Sequence, residues 1–454
     1  MYSGFIDFLD DSLEGKPGIR KLYYSSFTAK ARPDILTFAT CPHCRHELSK
    51  MQLTSFSTRG NQSFFNLIKA QFQAQPAVPG KTGDPNRLPN EGRKVLLFSD
   101  SRQRAAKLAR DMSDASDMTA ARQLAALAID RMEQEVVEQS MNYFYDYFAM
   151  VAVEHHVQIF HDSETEKQRA RLIEHGTQAL KNYTRAKKRN QQYTPRFTID
   201  NAPAQMKEQL FRFYCGGYNT LIDSALSWIE PTDAAKWDAI DALEEAGNEV
   251  TEEEFMELFN AWILSTCDSS VVLGHTIPDV IREKVRPNYV GYGIDKDKKF
   301  STDIRGIMGW GDNDPIAAKW SRILREKFMD EGQSSNGKYY IDLSRVKPRF
   351  DLEHTWFRCE RCSELTPYLL RGKCPSCQCE KIHPMTAEEI DALDFWRAPI
   401  DEALRGETIR VIDTEEHTAQ LSHKDQRDEL WSKQNSMNSV SKISYKMVRH
   451  QLIF

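Results

Sequence analysis

The apolar positions fall into two kinds of run. Val95–Phe98 is four consecutive apolar residues, short enough for a buried strand, and a polar, arginine-bearing turn leads from it into a helix from about Arg102. From about Thr119 to Asn260 the period is helical. Leu124, Leu127, Ala128, Met132 and Val136 recur at steps of three and four, which predicts one apolar stripe. Residues 74–93 are rich in Pro, Gly and Asn and read as a linker. Residues 284–350 are punctuated by Gly and Pro and show little periodicity. A strand-like segment at Thr408–Asp413 and a helix at Lys424–Ser432 close the pattern, and no internal repeat emerges.

Composition narrows the function classes. The chain has 454 residues, enough for two or three domains. Its net charge of −6 excludes a wholly basic nucleic-acid coat but leaves room for a local basic groove. No run of about 18 apolar residues marks a membrane span, and the acidic start MYSGFIDFLDDSLEG is not a secretory signal. A cytoplasmic location with no membrane partner is expected. Six of the nine cysteines fall in three C-x-x-C pairs, a spacing that points to metal ligation in such a chain.

The most specific chemistry lies in HTWFRCERCSELTPYLLRGKCPSCQCEK. Here Cys359, Cys362, Cys374 and Cys377 make C-x2-C-x11-C-x2-C, two tight turns that each present two thiolates. Four thiolates close a tetrahedral zinc site with no position left for water, so a structural zinc is expected. Cys379 competes with Cys377 for the fourth place. Cys41 and Cys44 are half a site: Cys215 and Cys267 complete it, the partner knuckle lies outside this chain, or the pair is empty.

Other features favour plain structural readings. Gly80-Lys81-Thr82 lacks the earlier glycine of a phosphate loop, since Gln75 stands there, and no Asp-Glu-Ala-Asp or Asp-Glu-Ala-His box occurs. Glu154-His155-His156 and His161-Asp162 lack metal-site spacing. The stretch KNYTRAKKRNQQYTPR, Lys181 to Arg196, interleaves cations with Tyr183 and Tyr193 as a single-strand platform would, although a solvated helix-to-loop stretch is the better reading. Glu230–Glu257 carries eleven acidic residues against Lys236 alone and reads as a solvated helical face.

Against this background GRKVLLFSDSRQRAAKLA resembles motif IV of superfamily-2 helicases, the strand, turn and helix that open their second RecA-like lobe. The FSDSRQ-x-AA form is particular to large bacterial DEAD/DEAH-type helicases with cysteine-rich zinc modules. A second block, FWRAPIDEALRGETIRVIDTEEHTAQLSHKDQRDELW, resembles the next strand and helix of that lobe. The resemblance implies an α/β fold: an incomplete RecA-like lobe with a large, mainly α-helical insertion and a small zinc ribbon. The expected divisions are an N-terminal segment with the half knuckle (1–73), the linker (74–93), the start of the lobe (94–116), the insertion (117–349), the ribbon (350–384), the lobe's continuation (385–433) and a tail (434–454). By resemblance, Ser99, Ser101, Arg102, Gln103, Thr418 and Gln420 grip the backbone of a nucleic acid, single-stranded DNA being expected. ATP and Mg2+ belong to the intact motor.

After Trp431 the chain departs from the family's pattern, and the arginine-finger motif is absent. Codon degeneracy permits family-like text in another frame, so a frameshift near Lys433 is expected, with the first lobe encoded upstream. The expected function is therefore a fragment of an ATP-dependent DNA helicase or translocase that hydrolyses no ATP alone. The alternative is a non-enzymatic, zinc-containing adaptor or split-helicase subunit that docks a separate chain carrying the first lobe.

Overall fold

The computed structural model describes residues 102–412 apart from 161–165, 216–219, 287–290 and 334–336, with short pieces at 2–5, 21–24, 67–68, 70–71, 74–76, 93, 414–417 and 443–446. Strands β1 (Tyr2–Phe5) and β2 (Lys21–Tyr24) pair antiparallel. The strand expected at Val95–Phe98, the linker's Gly80-Lys81-Thr82, His161-Asp162 and the helix expected at Lys424–Ser432 lie outside the described residues.

Helix α1 (Arg102–Glu133) begins where the sequence pattern placed it and runs 32 residues, crossing the expected lobe–insertion boundary at 116/117 unbroken. It contains no Gly or Pro and is rich in alanine, the strongest helix former. Ala120, Ala121, Leu124, Ala125 and Ala128 are fully buried, so its second half passes through the core. The expected stripe fails at one position: Val136 lies beyond the helix end and is 96% exposed. Periodicity alone could not register that the helix stops at Glu133.

Helices α2 (Phe144–Glu154) and α3 (Glu166–Lys188) pack closely against each other. Their approach depends on Gly176, where a Cβ atom would lie 2.1 Å from the carbonyl oxygen of Ala149. Gly176→Ala is expected to lower stability by about 1–3 kcal/mol through overpacking, despite the roughly 1 kcal/mol of helix propensity that alanine adds. Thermal unfolding followed by circular dichroism measures this; an unchanged midpoint would mean that the pair separates without cost.

The interleaved basic and aromatic stretch is mostly exposed, as the solvated reading expected, but its two tyrosines face the helical body. Tyr193 is buried and donates to Asp146, whose carboxylate also accepts from the N–H groups of Arg196 at 3.0 Å and Phe197 at 2.8 Å. Tyr183 packs edge-on against Tyr193, with Arg131 and Lys187 over its ring. These rings brace the helical body and offer no stacking platform.

Helix α4 (Ala204–Tyr214) leads to β3 (Ser227–Pro231), followed by α5 (Asp233–Glu245), α6 (Glu252–Ser270) and α7 (Asp279–Val285). Thr232 caps α5 by accepting from Ala235 N, and Thr251 with Glu254 forms a capping box at α6. The acidic stretch is solvated along these helices, with one exception. Glu230 is buried and accepts from Trp228 Nε1 at 2.8 Å and Tyr368 Oη at 2.7 Å.

Residues 284–350 hold more structure than their pattern suggested: α8 (Thr302–Met308), α9 (Pro315–Phe328), β4 (Met329–Glu331), β5 (Tyr339–Ile341) and β6 (Val346–Phe350). These elements are mostly too short for a period to emerge. Strand β6 pairs antiparallel with β3, from Pro231 opposite Val346 to Ser227 opposite Phe350, so the helical region returns to its own middle.

Strands β7 (Phe357–Cys359), β8 (Leu365–Thr366) and β9 (Ile382–Pro384) form an antiparallel sheet in the order β8-β7-β9. Helices α10 (Ala387–Asp391) and α11 (Asp394–Leu404) follow. The strand expected at Thr408–Asp413 is displaced: 407–412 form no strand, and β10 is Thr414–His417, which pairs parallel with β11 (Ile443–Lys446). Buried backbone explains the shift, because the N–H of Ile412 donates to Ser116 Oγ at 2.7 Å, away from any ladder. The described fold is thus mixed, helices with small sheets. One apolar core runs from Ala120 on α1 to Ile409 and includes Trp356, Leu365 and Leu370 of the cysteine module.

Candidate metal centre

Local hydrogen bonds build the two cysteine turns alike. In the first, the N–H of Ser363 donates to Cys359 O at 2.9 Å, and Cys359 N donates to Glu364 O at 3.0 Å. In the second, Gln378 N donates to Cys374 O at 2.9 Å, and Cys374 N to Cys379 O at 2.9 Å. Ser363 and Gln378, each four residues after the first cysteine of its turn, have φ of 62° and 61°. Both occupy the left-handed region that glycine usually fills.

This equivalence decides the place of Cys379. It matches Glu364, a residue that closes its turn through a backbone carbonyl. Its sulfur accepts from Lys381 N at 3.3 Å, outside the cluster. The position favouring glycine is Gln378.

A tight turn brings the cysteine pairs together. Arg371 and Gly372 both have positive φ, and Leu370 and Lys373 exchange two backbone hydrogen bonds at 3.0 Å, as in a two-residue hairpin. Sulfur separations are then 3.6 Å for Cys359–Cys377 and 3.7 Å for Cys362–Cys374, with all four within 4.8 Å of one another. A tetrahedral ion bonded to sulfur at about 2.3 Å spaces its ligands about 3.8 Å apart. Cys359, Cys362, Cys374 and Cys377 therefore can hold one metal ion in a closed tetrahedron.

The electrostatics agree with a cation at the centre. Burial pushes the Cys359 thiol upward and that of Cys377 up to about 12, while the hydrogen bond with Cys374, followed by burial, raises that of Cys362. Four thiolates crowded together need a positive charge to offset their repulsion and desolvation. The backbone N–H of Arg361 already points at Cys359 Sγ, 3.4 Å away.

The module is docked rigidly on the helical body. Trp356 meets Trp228 edge-on with ring centres 5.6 Å apart, and His354 lies over Trp228 at 4.3 Å. Arg371 N donates to Glu257 of α6 at 2.8 Å, and Gln378 Nε2 to Asp303 of α8 at 3.1 Å. No spacing in the sequence announced these anchors.

The remaining site residues are not brought together by the described structure. Arg102 and Gln103 open α1; Ser99, Ser101, Thr418, Gln420, Cys41 and Cys44 lie outside the described residues. Cys215 and Cys267 are buried in the core and join no metal-ligand cluster among the described residues. His155 and His156 follow the end of α2 and join none either. No described helix is long and apolar enough to cross a membrane.

No family model and no solved structure matches the chain. Among curated proteins, Druantia protein DruE of Escherichia coli (strain UMEA 4076-1) is 26% identical over 407 residues, which covers 86% of this chain and 21% of that protein. The chain thus spans about a fifth of the length of the curated relative it matches. Over most of its own length, it is similar to one portion of a much longer protein, Druantia protein DruE.

Proposed function

We propose that this chain is the nucleic-acid-handling part of a helicase-like motor, in which 94–116 and 385–433 belong to one RecA-like lobe. The observation that carries this reading is the return of the chain to α1. Gln123 Nε2 donates to Pro399 O at 2.6 Å, Ile412 N donates to Ser116, and both α11 and β10 pack on α1. The second block therefore meets α1, the helix that continues the first block, although the contacting residues lie almost 300 positions apart in sequence, and the helical region and ribbon share one core with them.

In this reading the start of α1 offers its unpaired N–H groups to a phosphate. Ser99, Ser101, Arg102 and Gln103, with Thr418 and Gln420 of the second turn, hold the backbone of a single strand. The four-thiolate centre takes zinc and acts structurally. ATP and Mg2+ act in the complete motor, and the isolated chain hydrolyses no ATP.

Fluorescence anisotropy with labelled single-stranded DNA at 50 and 200 mM salt tests the assignment. Arg102→Ala is expected to weaken binding several-fold and to lower the salt slope by about one. Unchanged affinity and slope would remove Arg102 from the interface.

The acidic face around Trp237, which is 49% exposed, favours a second reading: an adaptor that docks the chain carrying the first lobe. A chain that binds no single strand even at low salt, yet forms a stable complex with that partner, would support it.

A further inference from the structure

Three groups able to bind a metal, two from the β4–β5 hairpin and one from the segment before α7, converge on one face of that hairpin. His275 follows the segment in which Gly274 N donates to Ile341 O at 2.9 Å. Asp342 comes directly after β5, its N–H held by Phe328 O at 2.9 Å. Asp330 lies on β4 opposite Tyr340. One ligand atom of each lies within 4.8 Å of those of the other two, and His275 Nδ1 is 4.0 Å from Asp342 Oδ1. Bonds of about 2.0–2.2 Å to an ion require only a modest inward rotation of these side chains.

A second observation points into this cluster. His275 Nδ1 is shielded from solvent and has no hydrogen-bond partner. A buried polar atom left so is costly, and a cation between the three groups would satisfy it. The surroundings hold the ligands in place. Asp342 accepts from Ser344 N at 2.9 Å through Oδ1 and from Ser344 Oγ at 2.8 Å through Oδ2. The fully buried Arg282 donates to the carbonyls of Leu273 at 2.9 Å, Gly274 at 2.6 Å and Ile277 at 3.2 Å, which fixes the loop that carries His275. Such outer contacts orient ligands in metal sites.

We infer that His275, Asp330 and Asp342 bind one divalent first-row transition cation, at a site separate from the four thiolates. One imidazole with two carboxylates is a nitrogen and oxygen donor set, suited to Mn2+ or Zn2+ and unlike the sulfur set of the ribbon. Three protein ligands leave positions open to water, so this ion exchanges where the ribbon's is enclosed. The inference stands apart from the helicase-like reading and needs none of its residues.

Mn2+ is the discriminating probe, because the thiolate centre favours softer ions. Titrating with Mn2+ the full chain that has received one equivalent of zinc, enough for the thiolate centre alone, with free Mn2+ read by its electron paramagnetic resonance signal, is expected to show one ion bound per chain. Asp330→Asn and His275→Ala should each weaken binding at least about tenfold; Asp241→Asn, on the exposed acidic face of α5, should not. Asp330 is exposed, so its variant carries the test even if His275→Ala unfolds. No loss of the free signal, or binding unchanged in Asp330→Asn, would overturn the site.

Discussion

Cys374→Ser is expected to empty the four-thiolate centre and loosen the whole module from Trp356 to Ile382. Zinc that survives dialysis against a weak chelator, which strips the exchangeable ion, should by elemental analysis fall from about one ion per chain to near zero, since three ligands no longer close the tetrahedron. Structural zinc supplies roughly 10–16 kcal/mol of apparent binding energy in small zinc domains, far more than a three-stranded sheet this short provides alone. Because Trp356, Leu365 and Leu370 share the core of the helical body, the damage should reach the docked face as increased proteolysis near residues 354–379. Retention of a full equivalent of zinc by the variant would exclude Cys374 as a ligand.

The pH dependence should invert with metal content. In the metal-free chain, the population that keeps the module docked holds Cys359, Cys362 and Cys377 above the ordinary thiol range. A group raised on folding contributes stability that is complete below its unfolded pKa and erodes as pH rises past it. Chelator-treated protein should therefore melt lower at pH 9.5 than at pH 7.5. Zinc-loaded protein should instead lose stability toward acid, as protons compete for the thiolates.

Arg282→Met should cost about 3–5 kcal/mol in urea unfolding, the penalty for breaking a buried charge network by removing one partner. The guanidinium is fully buried and bonds the carbonyls of Val271, Leu273, Gly274 and Ile277 with the Asp279 carboxylate, while Tyr340 and Phe211 lie 4.2 and 4.8 Å from its centre. Methionine fills the volume and removes the guanidinium donor from each of those oxygens. Arg282→Lys should recover little, because an ammonium cannot reproduce the planar fork. A loss below about 1 kcal/mol for the methionine variant would show that water or a rearranged loop replaces the network.

What the sequence disclosed follows from how local each signal is. Cys359, Cys362, Cys374 and Cys377 were readable because their geometry is set within two short turns. The start of α1 was readable because a breaker-free, alanine-rich run follows Arg102. Residues whose roles depend on distant partners were not. Tyr193 appeared to belong to a basic surface until Asp146, 47 positions away, drew it inward. His275, Asp330 and Asp342 share no spacing. Glu230 looked like one acid among eleven, yet it is the buried acceptor joining β3 to the ribbon through Tyr368.

Helix α1 also has a mechanical meaning. At about 1.5 Å per residue, its 32 residues make a strut about 48 Å long. One end starts at Arg102, the proposed strand contact. At the other, Glu133 accepts from Arg349 at 2.6 Å and from Phe350 N at 3.0 Å, on the strand beside the ribbon's dock. A tilt of a few degrees at the Arg102 end would displace the far end by several ångströms. Under the proposed helicase-like reading, the cysteine module would register motion at a strand that it never touches.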